Sequence, residues 1–103
     1  MSTIRSQALE RSQGGLCEYN GCHSSNGTEL HHIVKGRGNR TQCERIESVI
    51  FLCWEHHHGT NGIHGKNGHA IDLKLKIKLQ NTYFELGMSE DEVRAWLGGK
   101  LYD

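Results

Sequence analysis

The chain has 103 residues, and its 35% hydrophobic and 7% aromatic content can fill only the modest core of one small domain. Its 12 basic and 12 acidic side chains cancel, so any attraction to a polyanion must be local. A mean hydropathy of −0.64, without a long apolar run or a signal-like start, leads us to expect a cytoplasmic protein and no membrane span. Eight histidines and four cysteines exceed what so small a core needs for packing, which makes metal binding the first hypothesis.

The N-terminal part of the chain combines a polar segment with a cysteine-bounded turn. Residues 1–15 are rich in Ser and Gln and predict a flexible arm or a short helix without chemistry of its own. After them, Asn20 and Gly21, which both tolerate positive φ, lie between Cys17 and Cys22. This pattern predicts a tight knuckle that presents two thiols.

Two strands and a short helix are predicted for the middle of the chain. The sequence TELHHIV over residues 28–34 predicts a strand with two histidines at its centre. The apolar run SVIFLC over 48–53 predicts a buried strand, and WEHHH over 54–58 predicts a short helix that Gly59 ends. Between the strands lies a glycine-containing loop, KGRGNR, whose cations would suit a phosphate group. These cations are Lys35, Arg37 and Arg40.

The C-terminal part predicts a glycine-rich loop, residues 59–68, followed by a helical hairpin. Residues 71–79 alternate between apolar and charged side chains as a strand would, yet their apolar residues also fit helical spacing. A length of roughly sixteen residues and a C-capping glycine at Gly87 favour the helix. A capping box that starts at Ser89 opens a second helix, so the pair occupies about residues 70–97.

Two chelating pairs have the composition and spacing of a zinc site. Ligands two to four residues apart let one turn present both to one ion, and a closed Cys3His set would supply folding energy that the small core lacks. We therefore predict a structural Zn²⁺ bound by Cys17, Cys22, Cys53 and His56. His23 competes for a ligand position, a disulfide does not fit a cytosolic chain, and Cys43 is interpreted as a spare thiol.

The adjacent His31 and His32 predict a division of roles. Neighbouring side chains on a strand point to opposite sides, so the two imidazoles cannot share one function. If His31 binds a divalent ion, an unligated His32 can act as a general base. The alternative is that both are polar residues of a half-exposed strand.

The order of these parts resembles that of the HNH endonuclease family. A cysteine pair, an H-H-I strand, a basic loop, a strand ending in L-C and a histidine-rich helix start follow one another over about half of the chain. The positions that correspond to the family motif are Cys17, Cys22, His31, His32, Cys53, His56 and His57. The segment HHHGTNGIHG is also similar to phage-encoded members of the family, which include recombination-associated nucleases.

The resemblance implies an α+β protein with a ββα-metal fold, a structural zinc knuckle and a C-terminal helical hairpin. In this interpretation an HNH nuclease domain spans residues 16–103, with its core at 17–68. His31 and His57 ligate one catalytic divalent ion (Mg²⁺, Mn²⁺, Ni²⁺ or Zn²⁺), and His32 is the general base. The implied reaction is hydrolysis of DNA to 5′-phosphate and 3′-hydroxyl ends with low sequence specificity, in a phage or mobile-element context and hence in a bacterial cytoplasm.

Two positions of this site stay open in the sequence. His64 is our choice for the third catalytic-metal ligand because its loop returns toward the start of the same helix, with His58 and Asn61 as rivals. The Asn that positions the base in the family corresponds to Ser48. Either the shorter hydroxyl of Ser48 takes over this role, or Asn39 supplies the amide, or activity is weak.

DNA is the expected partner, and a phage packaging or recombination protein could supply further specificity; the sequence does not indicate an oligomeric state. The residues predicted to contact phosphates are Lys35, Arg37, Arg40 and Lys66. One alternative is a catalytically weak or inactive zinc-stabilised DNA-binding module on the same scaffold. Another is an adaptor that docks a protein through its C-terminal apolar side chains, although their helical spacing favours a core role. These side chains are Tyr83, Phe84, Trp96 and Leu97.

Overall fold

The computed structural model describes residues 3–34 and 45–102. Within these ranges the chain forms, in order, helix α1 (Thr3–Arg11), strand β1 (Glu29–His32), strand β2 (Val49–Leu52), helix α2 (Trp54–His58), helix α3 (His69–Glu85) and helix α4 (Glu90–Trp96). One 3-10 turn (Tyr19–Gly21) lies between the two cysteines of the knuckle, and another (Ile46–Ser48) leads into β2. Several residues singled out in the sequence lie outside the described ranges: Lys35, Arg37, Asn39, Arg40 and Cys43.

The two strands form an antiparallel pair in which Glu29 lies opposite Leu52 and His31 lies opposite Ile50. Both strands are shorter than predicted. Ser48 belongs to the 3-10 turn before β2, and Cys53 becomes the N-cap of α2. A two-stranded sheet combined with several helices confirms the α+β class.

Helix α3 resolves the ambiguous alternating pattern in favour of a helix. Its buried apolar residues recur at intervals of four, which forms one face of a helix. They are Ile71, Leu75, Leu79 and Tyr83. Leu86 lies beyond the last turn and stays exposed. The predicted capping box opens α4, with the N–H of Glu92 donating to Ser89 Oγ at 3.2 Å.

The main core lies between α3, α4 and the region where β2 meets α2. It buries Leu52 and Cys53 together with the apolar face of α3, and it is closed by Val93 of α4 and by Leu97, the C-cap of α4. Because this core is small, each of its elements depends on contacts with its neighbours. No helix within the described part of the chain is both long and apolar enough to cross a bilayer.

The N-terminal segment differs from the flexible arm expected for residues 1–15. Helix α1 packs against the sheet, where Ala8 is buried together with Val49 and Phe51 of β2. The short apolar stretch around Ala8 contributes to a second, smaller core, a role that its polar surroundings hide in the sequence. The segment forms a short helix, which was the other structure predicted for it.

Arg11 joins α1 to the knuckle segment and to β2. Its guanidinium binds the Glu18 carboxylate through two contacts of 2.6 and 2.8 Å, and it donates to the carbonyls of Ile46 and Val49, each at 2.7 Å. Glu18 Oε1 also accepts the N–H of Phe51 at 2.9 Å. The Arg11–Glu18 pair therefore joins α1 and the knuckle segment to β2, which lies more than thirty residues further along the chain.

We expect Arg11→Ala to lower the free energy of unfolding by about 1–3 kcal/mol, because two carbonyls and a carboxylate lose a charged donor. Urea denaturation of the zinc-loaded protein measures this. The matched control is Arg94→Ala, which breaks exposed pairs with Glu90 and Asp91 and should cost about 0.5 kcal/mol or less. Equal losses in the two variants would contradict the role assigned to Arg11.

Candidate metal centres

The knuckle adopts the backbone predicted from its sequence. Asn20 (φ +46°) and Gly21 (φ +73°) both lie in the left-handed region, which reverses the chain between Cys17 and Cys22. The N–H of His23 donates to the carbonyl of Cys17 at 2.9 Å and closes the turn. The His23 ring is directed to its own turn, with Nδ1 2.8 Å from the Gly21 carbonyl oxygen, and not to the thiols.

The two predicted chelating pairs meet. The ligand atoms of Cys17, Cys22, Cys53 and His56 all lie within 4.8 Å of one another. His56 Nδ1 is 3.4 Å from Cys17 Sγ and 3.3 Å from Cys53 Sγ. Ligands of one tetrahedral zinc ion are about 3.3–3.8 Å apart, so these four residues, here called the Cys3His cluster, could hold a structural zinc ion.

The protein environment acts on the thiols of this cluster in opposite directions. Burial raises the pKa of the Cys17 thiol to about 11. Burial also acts to raise the pKa of Cys53, but hydrogen bonds from the His56 backbone and from the thiols of Cys17 and Cys22 outweigh it, and the net pKa is lowered. Since zinc binds thiolates, metal binding here must release the proton of Cys17.

A second group of imidazoles forms where β1, α2 and the glycine-rich loop meet. The ligand nitrogens of His31, His57 and His64, here called the histidine trio, lie within 4.8 Å of one another. Their ring centroids are 5.3 Å (His31 to His57), 4.7 Å (His57 to His64) and 6.0 Å (His31 to His64) apart. His31 and His57 are buried whereas His64 is exposed, so the trio borders solvent on one side. Three nitrogen donors with an open side could hold a divalent ion together with water or substrate.

The return of His64 to the trio follows from how α2 ends. The last carbonyls of a helix lack partners inside it, and here the loop supplies them. The N–H of Ile63 donates to the carbonyl of His56 at 2.9 Å, and the N–H of His64 donates to that of His57 at 2.8 Å. These two bonds place His64 beside His57.

Glycine at every third position makes this close return feasible. The N–H groups of Gly62, Gly65 and Gly68 each donate to the carbonyl of the glycine three residues earlier, at 2.9, 2.9 and 3.1 Å. A Cβ on Gly62 would lie 2.5 Å from the carbonyl oxygen of Glu55, closer than a side chain allows. The spacing G-x-x-G-x-x-G-x-x-G was visible in the sequence, and it indicates backbone packed on backbone.

Glu29 is a site residue that the sequence analysis missed. It lies two positions before His31 on β1 and therefore on the same face of the strand. Its Oε1 accepts hydrogen bonds from His57 Nδ1 at 3.0 Å and from His58 Nε2 at 2.7 Å. The bond from His58 and then that from His57 lower the pKa of the Glu29 carboxyl group. With Nδ1 bound to Glu29, His57 has Nε2 left for the trio.

The two rivals of His64 have other contacts. His58 is bound to Glu29, as described, and Asn61 Oδ1 accepts a hydrogen bond from Asn67 Nδ2 at 3.1 Å. A further group of possible metal ligands lies on the Nδ1 side of His57. Its ligand atoms, which are within 4.8 Å of one another, belong to Glu29, His57 and His58. The three-histidine group contains His64 and neither rival.

His32 and Ser48 lie at one end of the two-stranded sheet, where His32 is opposite Val49. His32 is the last residue of β1 and is half-buried. Ser48 is buried, and its hydroxyl both accepts the N–H of Arg45 and donates to the Arg45 carbonyl, each at 2.9 Å. The Ser48 carbonyl accepts the N–H of Ile33 at 2.8 Å, so its backbone holds the residue that follows His32.

The remaining sequence candidates divide between core and surface. Tyr83 and Leu97 are fully buried, and Trp96 packs against Tyr83 with ring centroids 5.4 Å apart, which agrees with the core role expected for them. Phe84 is exposed. Lys66 lines a cleft beside α2.

Comparison of this chain with protein-family models, with curated proteins and with solved structures finds no match.

We expect Cys22→Ser to lose zinc and to unfold at lower urea concentration, because it removes a ligand of the Cys3His cluster. Zinc content by atomic emission and urea denaturation measure this. His23→Ala is the matched control, because His23 follows Cys22 in sequence but its ring is directed to the Gly21 carbonyl. This variant should keep about one zinc per chain. Loss of zinc in His23→Ala with retention in Cys22→Ser would replace Cys22 by His23 as the ligand.

Proposed function

We propose that this protein is a metal-dependent endonuclease with a ββα-metal site that hydrolyses DNA phosphodiester bonds. The observation that carries the proposal is the meeting of three imidazoles from a strand, a helix and a loop, with His32 next to one of them in sequence. Bringing these imidazoles together lowers the stability of the fold unless a ligand such as a metal ion compensates, because buried imidazoles lose solvation and pack less well than apolar residues. The resemblance to HNH endonucleases assigns roles to the same residues.

The Cys3His cluster supports this proposal by bracing the same helix. His56 belongs to the cluster and His57 to the trio, and successive residues diverge by about 100 degrees around a helix. A zinc ion at Cys17, Cys22, Cys53 and His56 would therefore fix the direction of His57. A structural ion and a catalytic site are thereby combined on a helix of five residues.

In the proposed reaction, His32 accepts a proton from a water molecule, and the resulting hydroxide attacks phosphorus. The bond from phosphorus to the 3′ oxygen breaks, solvent protonates that oxygen, and the products carry 5′-phosphate and 3′-hydroxyl ends. His31, His57 and His64 would hold a divalent ion, which supplies positive charge to the phosphate and the leaving oxygen when bound. Glu29 keeps the imidazole of His57 in one orientation.

DNA contact is proposed to be local and independent of sequence. Lys66 is exposed, lies two residues after His64 and lines the cleft beside α2, so it could bind a backbone phosphate. The loop cations Lys35, Arg37 and Arg40 stay predictions, since they lie outside the described residues. A partner protein, such as a phage packaging or recombination factor, would have to supply any sequence preference.

A catalytically weak or inactive DNA-binding module on the same scaffold is the second candidate. The observation that favours it is the Ser48 hydroxyl, which is engaged with the backbone of Arg45 on both its donor and its acceptor side. A hydroxyl engaged in this way does not supply the contact that the Asn at the corresponding position provides in the HNH family. This candidate requires the structural zinc but no second ion.

We expect Glu29→Ala to weaken divalent-ion binding at the trio by about 10- to 100-fold, since His57 loses the acceptor that fixes its tautomer. Glu29→Gln should lie between this variant and the wild type, because its amide oxygen still accepts one hydrogen bond. Calorimetric titration of the zinc-loaded protein with Ni²⁺ measures both. Glu85→Gln, an exposed acid at the end of α3, is the matched control and should bind Ni²⁺ as the wild type does. Unchanged affinity in Glu29→Ala would remove the positioning role.

We expect the wild type to nick supercoiled plasmid with Mg²⁺, Mn²⁺ or Ni²⁺, and His32→Ala to lose about 10²- to 10⁴-fold in rate through loss of the general base. Gel analysis of the plasmid measures this. His69→Ala, which removes an exposed imidazole at the start of α3, is the matched control and should cut normally. All three proteins must contain the same amount of zinc.

Two results would contradict the nuclease proposal. If no ion supports cutting while the zinc-loaded wild type still shifts DNA in a gel, the protein is the binding module. If His32→Ala cuts as fast as His69→Ala, His32 is not the base.

A further inference from the structure

Trp54 is an exposed tryptophan whose backbone and Cβ are held by neighbouring residues. It is the first residue of α2, and it is 53% exposed. The backbone N–H of Trp54 donates to the carbonyl of Asn26 at 2.9 Å. The Trp54 Cβ packs on Gly27, where a Cβ added to the glycine would lie 3.2 Å away. Gly27 has a φ of +59°, so glycine suits this position for two reasons. The indole is thus held at its base and presents its ring to solvent.

The indole borders a cleft of about 670 Å³ on the outer side of α2. The cleft is lined mainly by polar groups, among them Asn26, Glu55, His58, Asn61 and Lys66. An apolar ligand would leave these groups without hydrogen bonds, whereas a ligand that combines a flat ring with polar edges would satisfy both kinds of surface.

A continuous row of rings connects the cleft with the histidine trio. The Trp54 and His58 ring centroids are 6.4 Å apart, those of His58 and His57 are 4.4 Å apart, and those of His58 and His64 are 5.6 Å apart. The ring of His58 is therefore all that separates a ligand on Trp54 from His57 and His64 of the histidine trio.

We propose that Trp54 is a stacking platform for an unpaired nucleobase, so that single-stranded or locally unpaired DNA is the substrate presented to the histidine trio. The inference rests on the proposed function for the identity of the ligand and names the substrate class of that site. A base inside an intact duplex cannot stack on a protein ring unless it leaves its neighbours, whereas a base in a single strand has an accessible face.

Charge supports stacking as the main contact in this cleft. Glu55 and Lys66 carry opposite charges, and the whole chain has a formal net charge of zero. Glu55 offsets part of the attraction of Lys66 for a phosphate, so recognition has to come mainly from the ring and the polar groups around it. Stacking tolerates every base, which agrees with the low sequence specificity expected of the site.

The test is a binding measurement on the zinc-loaded full chain without further divalent ions, so that no strand is cut. The probes are an oligothymidylate of about twelve nucleotides and a mixed-sequence duplex of the same length, each carrying a fluorescent label. Label anisotropy reports binding, and tryptophan fluorescence reports contact with the indole. Trp54→Leu is the test variant, and Phe84→Leu, another exposed aromatic outside the cleft, is the matched control.

We expect the oligothymidylate to quench wild-type tryptophan fluorescence and to bind about 10-fold more weakly to Trp54→Leu, with Phe84→Leu unchanged. Trp54→Phe, which keeps a smaller ring and leaves Trp96 as the reporter, should lose the quenching and retain part of the affinity. The inference is overturned if the oligothymidylate does not bind, if it binds without quenching, or if Trp54→Leu and Phe84→Leu bind it equally.

The outcomes for the platform and for the nuclease can be separated. Plasmid cutting together with an unquenched Trp54 removes the platform and leaves the nuclease. Quenching by the single strand together with no cutting under any ion leaves the platform and removes the nuclease.

Discussion

The meeting of the knuckle thiols with the first turn of α2 is the constraint on which the other parts of the structure depend. A helix of five residues is too short to be stable alone, and the described residues contribute only two strands to the sheet beside it. The contacts of His56 with Cys17 and Cys53 fix where α2 begins. The helix then directs His57 toward His31 and His64. Its last carbonyls accept hydrogen bonds from the glycine-rich loop, which returns to the end of the helix. The small domain thus uses a few polar contacts where a larger one would use an extensive core.

Much of the fold could be predicted because its signals are local in sequence. The knuckle follows from an Asn-Gly pair between two cysteines, α4 from its capping box, and α3 from apolar residues four positions apart. The Cys3His cluster was also predictable, since the spacing within each pair already suits one ion. His64 lies beside His57 because glycines allow the loop to pack closely on the end of α2, where the N–H groups of Ile63 and His64 bind its last carbonyls.

The parts that could not be predicted depend on strand register and on contacts between distant segments. Glu29 is one acid among twelve, and its role becomes visible only when β1 is aligned with the end of β2 beside α2. The role of Arg11 is hidden in the sequence because two of its three partners, Ile46 and Val49, lie more than thirty residues away. The exposure of Trp54 is equally hidden, since an aromatic residue after a buried strand predicts core packing. The environment of each of these residues is set by segments that are distant in sequence, and local spacing does not predict such contacts.

The stacked turns of the glycine-rich loop restrict how this region can vary. A loop on a protein surface ordinarily tolerates insertions and deletions, because its backbone bonds to water. Here every third residue must lack a side chain, and the hydrogen bonds run in a fixed count from Gly59 to Gly68. Deleting a single residue would place side chains at the close approaches and turn His64 away from His57. Although it has the composition of a linker, this segment has the length tolerance of a core strand.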